Sequence, residues 1–167
     1  MHKTIGVISD THGLLRPEAI EALRGAELIV HAGDVGTPDI LEQLRKVAPV
    51  VAVRGNVDAG RWALSLPATS VFDFEGHVIH VRHILSDAVP VPDGISAFVH
   101  GHSHRPSIED RGGVLYLNPG SAGPRRFRLP VSVARMTIED GRLSARIIEL
   151  AVTTPAPSRK RATSGVE

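Results

Sequence analysis

Cysteine is absent from the 167 residues, which excludes disulfides, thiolate metal sites and cysteine nucleophiles together. Any metal the chain binds must be held by nitrogen and oxygen. No apolar run approaches the roughly 20 residues that span a bilayer, so a membrane protein is not expected. Met1-His2-Lys3 leads straight into a strand pattern, without the apolar region or the small-residue cleavage site of a signal peptide. A cytoplasmic location is the expectation. Net charge is nearly lacking too: at +1 the chain has no broad surface for tracking phosphates, and nucleic acid is not an expected partner. Arg125, Arg126 and Arg128 form the one basic cluster outside the tail.

The 42% hydrophobic and 22% charged content is ordinary for a globular protein, and 167 residues suit one domain with a core of its own. That domain is expected over residues 1–152. From Thr153 the chain runs Thr-Thr-Pro-Ala-Pro-Ser-Arg-Lys-Arg, with almost nothing apolar to repay the entropy of ordering, so 153–167 reads as a tail.

The apolar run Ile5 to Ile8 ends in Ser9-Asp10-Thr11-His12-Gly13, where a carboxylate and an imidazole follow a strand and a glycine allows a sharp turn. Pro17 then opens a helix that Gly25 stops. Glu27 to His31 is a second strand, running into Ala32-Gly33-Asp34. Thr37-Pro38-Asp39 starts a second helix, with Thr37 as N-cap, and Pro49 closes it. Val50 to Val53 is a third strand, ending in Arg54-Gly55-Asn56-Val57-Asp58.

Strand, helix, strand, helix, strand describes right-handed crossovers, so these strands should be parallel neighbours with their carboxyl ends on one edge. Ligands of open α/β sheets bind outside that edge, which brings Asp10, His12, Asp34 and Asn56 together. From about Thr69 the pattern turns to hairpins, at Glu75-Gly76, Gly112-Gly113 and Asp140-Gly141, and reads as antiparallel. Within it lie His83, after one strand, and His100-Gly101-His102-Ser103-His104, after the short strand Ala97-Phe98-Val99.

Asp10, His12, Asp34, Asn56, His83, His102 and His104 are too many ligands for one ion and a natural set for two. Asp34 is the best bridge, because it comes from the middle of the series and can turn one oxygen to each metal. The division is then Asp10, His12 and His104 on one ion, with Asn56, His83 and His102 on the other. His31 and His100 sit just inside strands and are assigned to packing or to hydrogen bonds behind the ligands. Asn118-Pro119-Gly120-Ser121 reads as a tight turn behind the site.

In that order, Asp10-Thr11-His12-Gly13, Gly33-Asp34, Gly55-Asn56, His83 and Gly101-His102-Ser103-His104 resemble the calcineurin-like metallophosphoesterases, most of all their small YfcE-type phosphodiesterases. The resemblance spans residues 4 to 150. It implies a four-layer αββα sandwich with two mixed β-sheets, two divalent ions and hydrolysis of a small phosphoester. Its metal pattern agrees with the pairing above. Manganese is the usual working ion of such relatives, with Fe, Co, Ni or Zn as alternatives. Two ions about 3.5 to 4 Å apart would bind the phosphoryl oxygens and activate a hydroxide for in-line attack. Asp34, Asn56 and His102 are the expected catalytic residues, and Asn56, Asp58 and Arg125 the expected substrate contacts.

Two positions depart from the family. Where many relatives follow Gly-Asn with a histidine, thought to contact the phosphate or protonate the leaving group, this chain has Val57. Asp58 and His31 are the candidate substitutes. Where relatives read His-Gly-His, this chain reads His83-Ile84-Leu85. The rival functions are a non-enzymatic scaffold of the retromer-subunit type, which shares this small fold, and a metal-dependent nuclease. A homo-oligomer is compatible with either reading.

Overall fold

The computed structural model describes residues 2–152, so the tail expected over 153–167 lies outside the described residues. Strand β1 (His2–Ile8) is the apolar opening run, and helix α1 (Pro17–Leu23) begins with proline at its first turn. Then follow β2 (Leu28–His31), α2 (Pro38–Arg45) and β3 (Val50–Ala52). Thr37 occupies the N-cap position of α2, but its hydroxyl makes no capping bond, so the proline and the dipole-favouring Asp39 begin that helix. A single turn, α3 (Arg61–Leu64), had no legible signal in the sequence.

The rest is strand: β4 (Thr69–Phe74), β5 (His77–Arg82), β6 (Ala97–Val99), β7 (Ser107–Arg111), β8 (Val114–Asn118), β9 (Ser132–Glu139) and β10 (Arg142–Glu149). They form two five-stranded mixed sheets, one ordered β10-β9-β1-β2-β3 and the other β4-β5-β6-β8-β7. In the first, β1, β2 and β3 are parallel neighbours as their crossovers require. The antiparallel expectation for the second half holds at the hairpins β4-β5, β7-β8 and β9-β10, and where β9 joins β1. Strand β6 is parallel to both β5 and β8. No two-residue turn signal separates these strands, and the longer connections carry the chain back to start each strand from the same side.

Two apolar layers follow from the strand alternation. Between the sheets, Ile5, Val7, Val30 and Val53 meet Ile79, Val81, Val99 and Leu117. Behind the first sheet, Ile8, Ile29 and Val133 receive Ala19 and Leu23 of α1 and Ile40, Leu41 and Leu44 of α2. Truncating a fully buried residue such as Leu23 or Leu44 to alanine would cost about 2 to 5 kcal/mol. This sandwich fixes the carboxyl ends of β1, β2, β3, β5 and β6. No described helix is long and apolar enough to cross a membrane.

Candidate metal centre

The ends of β1, β2 and β6 release the chain into tight loops. Asp10, His12, Asp34, His102 and His104 all have left-handed backbone, with φ of 54°, 45°, 55°, 69° and 61°. A non-glycine residue held there costs on the order of 1 to 3 kcal/mol, so five such residues at one sheet edge mark a place where packing overrules local preference. Backbone bonds lock the loops to one another: Asp10 N–H donates to Gly33 O, His12 N–H to Asp34 O and Gly101 N–H to His83 O, at 3.0, 3.0 and 2.9 Å. Glycine is required at two of the contacts. A Cβ on Gly55 would collide with the Asp34 carboxylate, and one on Gly101 with the Ser9 hydroxyl and Asp10 Oδ2.

Two groups of three side chains result, Asp10 with His12 and His104, and Asp34 with His83 and His102, each with ligand atoms within 4.8 Å of one another. Asp10 Oδ2 accepts from the Ser9 hydroxyl at 2.8 Å and the His102 N–H at 3.1 Å. Its Oδ1 is buried without a hydrogen-bond partner, facing His104 Nε2 at 3.3 Å, His12 Nε2 at 3.7 Å and His83 Nε2 at 3.8 Å. Asp34 Oδ1 accepts from the Val57 N–H at 3.0 Å, while Oδ2 lies 3.1 Å from His83 Nε2 and 3.8 Å from His12 Nε2. Asp34 thus faces both groups, through Oδ2 alone and not with one oxygen for each. Asn56 Oδ1 lies 3.1 Å from His102 Nδ1, which places the amide beside the second group.

The donor set fits cations. His83 donates from Nδ1 to Ala32 O at 2.8 Å, so in its neutral form the ring turns a lone pair at Nε2 toward the carboxylates, and this atom has no aligned hydrogen-bond partner. Lone pairs of carboxylate and imidazole converging in a buried place repel one another unless protons or cations lie between them. Burial raises the Asp34 carboxyl, but the His83 contact, the Val57 N–H and the charge of His12 outweigh it and hold the group below its ordinary value. Burial lowers His83, yet Asp34, Asp10 and the Ala32 carbonyl outweigh it and raise it. His104 is lowered by burial, aided by the nearby charges of Arg126 and His12.

Behind the ligands stands a layer of support that the sequence showed only in part. His31 is fully buried and held near a pKa of about 3 by desolvation. Its Nδ1 accepts from the Gly33 N–H at 3.1 Å, Nε2 meets Thr11 Oγ1 at 2.9 Å, and Thr11 donates onward to Val35 O at 2.8 Å. His100, lowered to about 4 by burial, packs on Phe98. Asn118 donates to Gly101 O at 3.1 Å and Ser103 Oγ at 3.0 Å, and Ser121 to Asp10 O at 3.0 Å. The sequence shows these two residues as part of a turn behind the site; nothing in their spacing announces that Asn118 braces the loop of His102 and His104 and Ser121 the loop of Asp10.

Three expectations change. Asp58 was expected to touch substrate or replace the missing acid. It is buried, and its carboxylate accepts the N–H groups of Val35, Gly36 and Gly55 at 3.2, 2.9 and 2.9 Å, which makes it the clamp between two ligand loops. His31 is equally occupied and carries no proton to spare at neutral pH. Arg125 is exposed and donates from Nε to Leu129 O at 3.2 Å, whereas its neighbour Arg126 is the arginine felt at His104. Val57 is 51% exposed and contributes its backbone, not its side chain, to the centre.

Residues 4–141 match the model of the calcineurin-like phosphoesterase superfamily domain. A probable metallophosphoesterase of Methanothermobacter thermautotrophicus is 37% identical over 160 residues, covering 86% of this chain and 91% of that protein. Phosphodiesterase YfcE of Escherichia coli is 31% identical over 155 residues, covering 74% of this chain and 82% of that protein. In fold, the chain is similar to Vps29 of Chaetomium thermophilum, with a TM-score of 0.69 at 19% identity over 89% of this chain and 97% of the other. With its two candidate ligand groups at one sheet edge, the chain belongs to the calcineurin-like phosphoesterase superfamily and is a metal-dependent phosphoesterase.

Proposed function

We propose that the chain is a binuclear phosphodiesterase acting on a small phosphoester in the cytoplasm. The observation that carries this reading is Asp34 Oδ2, set between two groups of ligand atoms that each include two histidines. Asp10, His12 and His104 would hold one ion, Asn56, His83 and His102 the other, and Asp34 would be shared. When bound, two divalent ions, manganese first among the candidates, supply Lewis-acid charge and an activated water. The chain's own part is to fix the ligands. Left-handed loops, the Asp58 clamp and the Asn118 brace set those positions without help from substrate.

Neither Val57, Asp58 nor His31 offers a proton to the departing oxygen, so leaving groups that are stable without protonation should be favoured. The scaffold alternative is weakened because every ligand position carries a competent donor. Elemental analysis of manganese-loaded protein should approach two equivalents per chain, with hydrolysis of bis(p-nitrophenyl) phosphate. One equivalent or none, without hydrolysis, would overturn the proposal.

A further inference from the structure

The segment 124–130 connects the Ser121 brace to β9 and is bounded by Pro124 and Pro130. It is a built turn: Arg16 Nε donates to Gly123 O at 3.1 Å, Leu129 N–H to Arg126 O at 3.1 Å, and Arg125 Nε to Leu129 O at 3.2 Å. At its tip Phe127 is 92% exposed with φ of 52°, a conformation disfavoured for a bulky side chain. A hollow of about 540 Å³ lies between Phe127, Arg128, Leu129 and Arg105, the residue directly after His104. Among the described residues, the guanidinium groups of Arg105, Arg126 and Arg128 have no ion-pair or hydrogen-bond partner.

An aromatic ring and unpaired arginines beside a phosphoester site form the pair of contacts by which proteins hold single nucleotides, with stacking on one face and phosphate on the cations. We infer that this loop receives the non-leaving arm of the substrate, and that this arm is nucleotide-like, with its base on Phe127 and a second phosphate on Arg126, Arg128 and Arg105. The inference rests on the phosphodiesterase reading above. A second hollow, about 410 Å³ beside Asn56 and His83, is less suited to the extra phosphate. Its arginines are already committed, Arg54 to Leu66 O and Arg82 to Ile84 O and Val89 O. The net charge of +1 speaks against a long track and for a short arm.

The test uses three p-nitrophenyl diesters with one leaving group, whose other arm is methyl, thymidine 5′, or thymidine 5′ bearing a 3′-phosphate. With the manganese-loaded full chain, kcat/KM should rise in that order. Phe127→Ala should lower the thymidine-to-methyl ratio about tenfold. Arg128→Ala should lower the ratio between the last two by a similar factor and reduce their salt dependence. Equal kcat/KM for all three esters, or a Phe127→Ala loss shared equally among them, would overturn the inference. If the methyl ester is not cleaved at all, the phosphodiesterase reading fails separately. Binding of a fluorescein-labelled phosphorothioate thymidylate tetramer, read by anisotropy, then decides the role of the loop. Weakening by Phe127→Ala supports it, whereas absent or unchanged binding overturns it. Sedimentation closes the remaining route: if Phe127→Ala dissociates an oligomer and leaves the ester ratios intact, the ring is an interface and the inference falls.

Discussion

Asp10 and His104 are buried and His12 is largely covered, whereas the second group joins buried Asp34 and His83 to Asn56 and His102, which stand exposed. The first group is set into the wall where β1 meets the 101–104 loop. The second opens to the cleft. Ligands already stripped of water hold a cation more tightly and exchange it more slowly than ligands that must compete with solvent, so the two groups should differ in affinity. In the reaction proposed above, the open group would receive the incoming phosphoryl oxygen.

The largest effect expected is from Asp34→Asn, which breaks the comparison by removing a carboxylate that faces both groups. Both equivalents should weaken in a metal titration, and activity should fall by more than the about 10 to 100-fold typical of an outer partner. One tight equivalent untouched by this change would defeat the shared role. Single-group changes sharpen the contrast. His104→Ala should remove the tighter equivalent, while Asn56→Ala should leave it and weaken the looser one, both read by calorimetry.

Chemistry at the open side is tested next by a leaving-group series. General acid catalysis is worth roughly 10² to 10⁴ in rate, and without it aryl diesters should far outrun alkyl ones, on a steep dependence on leaving-group pKa. Val57→His should flatten that slope. A flat slope in the parent would mean that a proton donor exists elsewhere.

Support behind the buried group has its own pH signature. His31 titrates at about 3 in the folded chain against an ordinary 6.5, so the unfolded chain binds this proton more tightly. Its contribution is complete above pH 6.5 and is lost as pH falls toward 3. Between pH 7 and 5 this one group should cost about 2 kcal/mol, and urea melts of His31→Gln should be flatter over that interval by this amount. At pH 7 the variant should be weaker by about 1 to 3 kcal/mol, because it abandons buried partners. The smallest effect concerns 153–167: truncation before Thr153 should move the melting temperature by no more than about 2 °C and leave turnover unchanged.

The parallel core and the residues of both groups were legible because each strand announces its end. An apolar run gives way to Asp10, Asp34 or Asn56, and proline opens both crossover helices. Less legible was whatever depends on contact between distant loops. Asp58 follows Asn56 closely enough to look like a substrate residue, yet its partners are N–H groups that only the folded loops present. The parallel pairing of β5, β6 and β8 was hidden because no helix fills the crossover 83–96. Left-handed backbone has no sequence signal at Asp10, and none at His102 beyond the adjacent Gly101. Arg125 and Arg126 are indistinguishable as letters, and the turn through Leu129 separates their roles.

Each ligand group draws on both sheets: Asp10 and His12 follow β1 while His104 follows β6, and Asp34 follows β2 while His83 and His102 follow β5 and β6. A cation held by either group is therefore a cross-link between the two layers, in a chain that has no cysteine to make a covalent one. At a free concentration one hundred times its dissociation constant, such an ion stabilises the fold by about 2.7 kcal/mol. The thermal resistance of this protein is thus a property of its surroundings as well as its sequence, and chelation should loosen the sandwich along the edge where the two sheets meet.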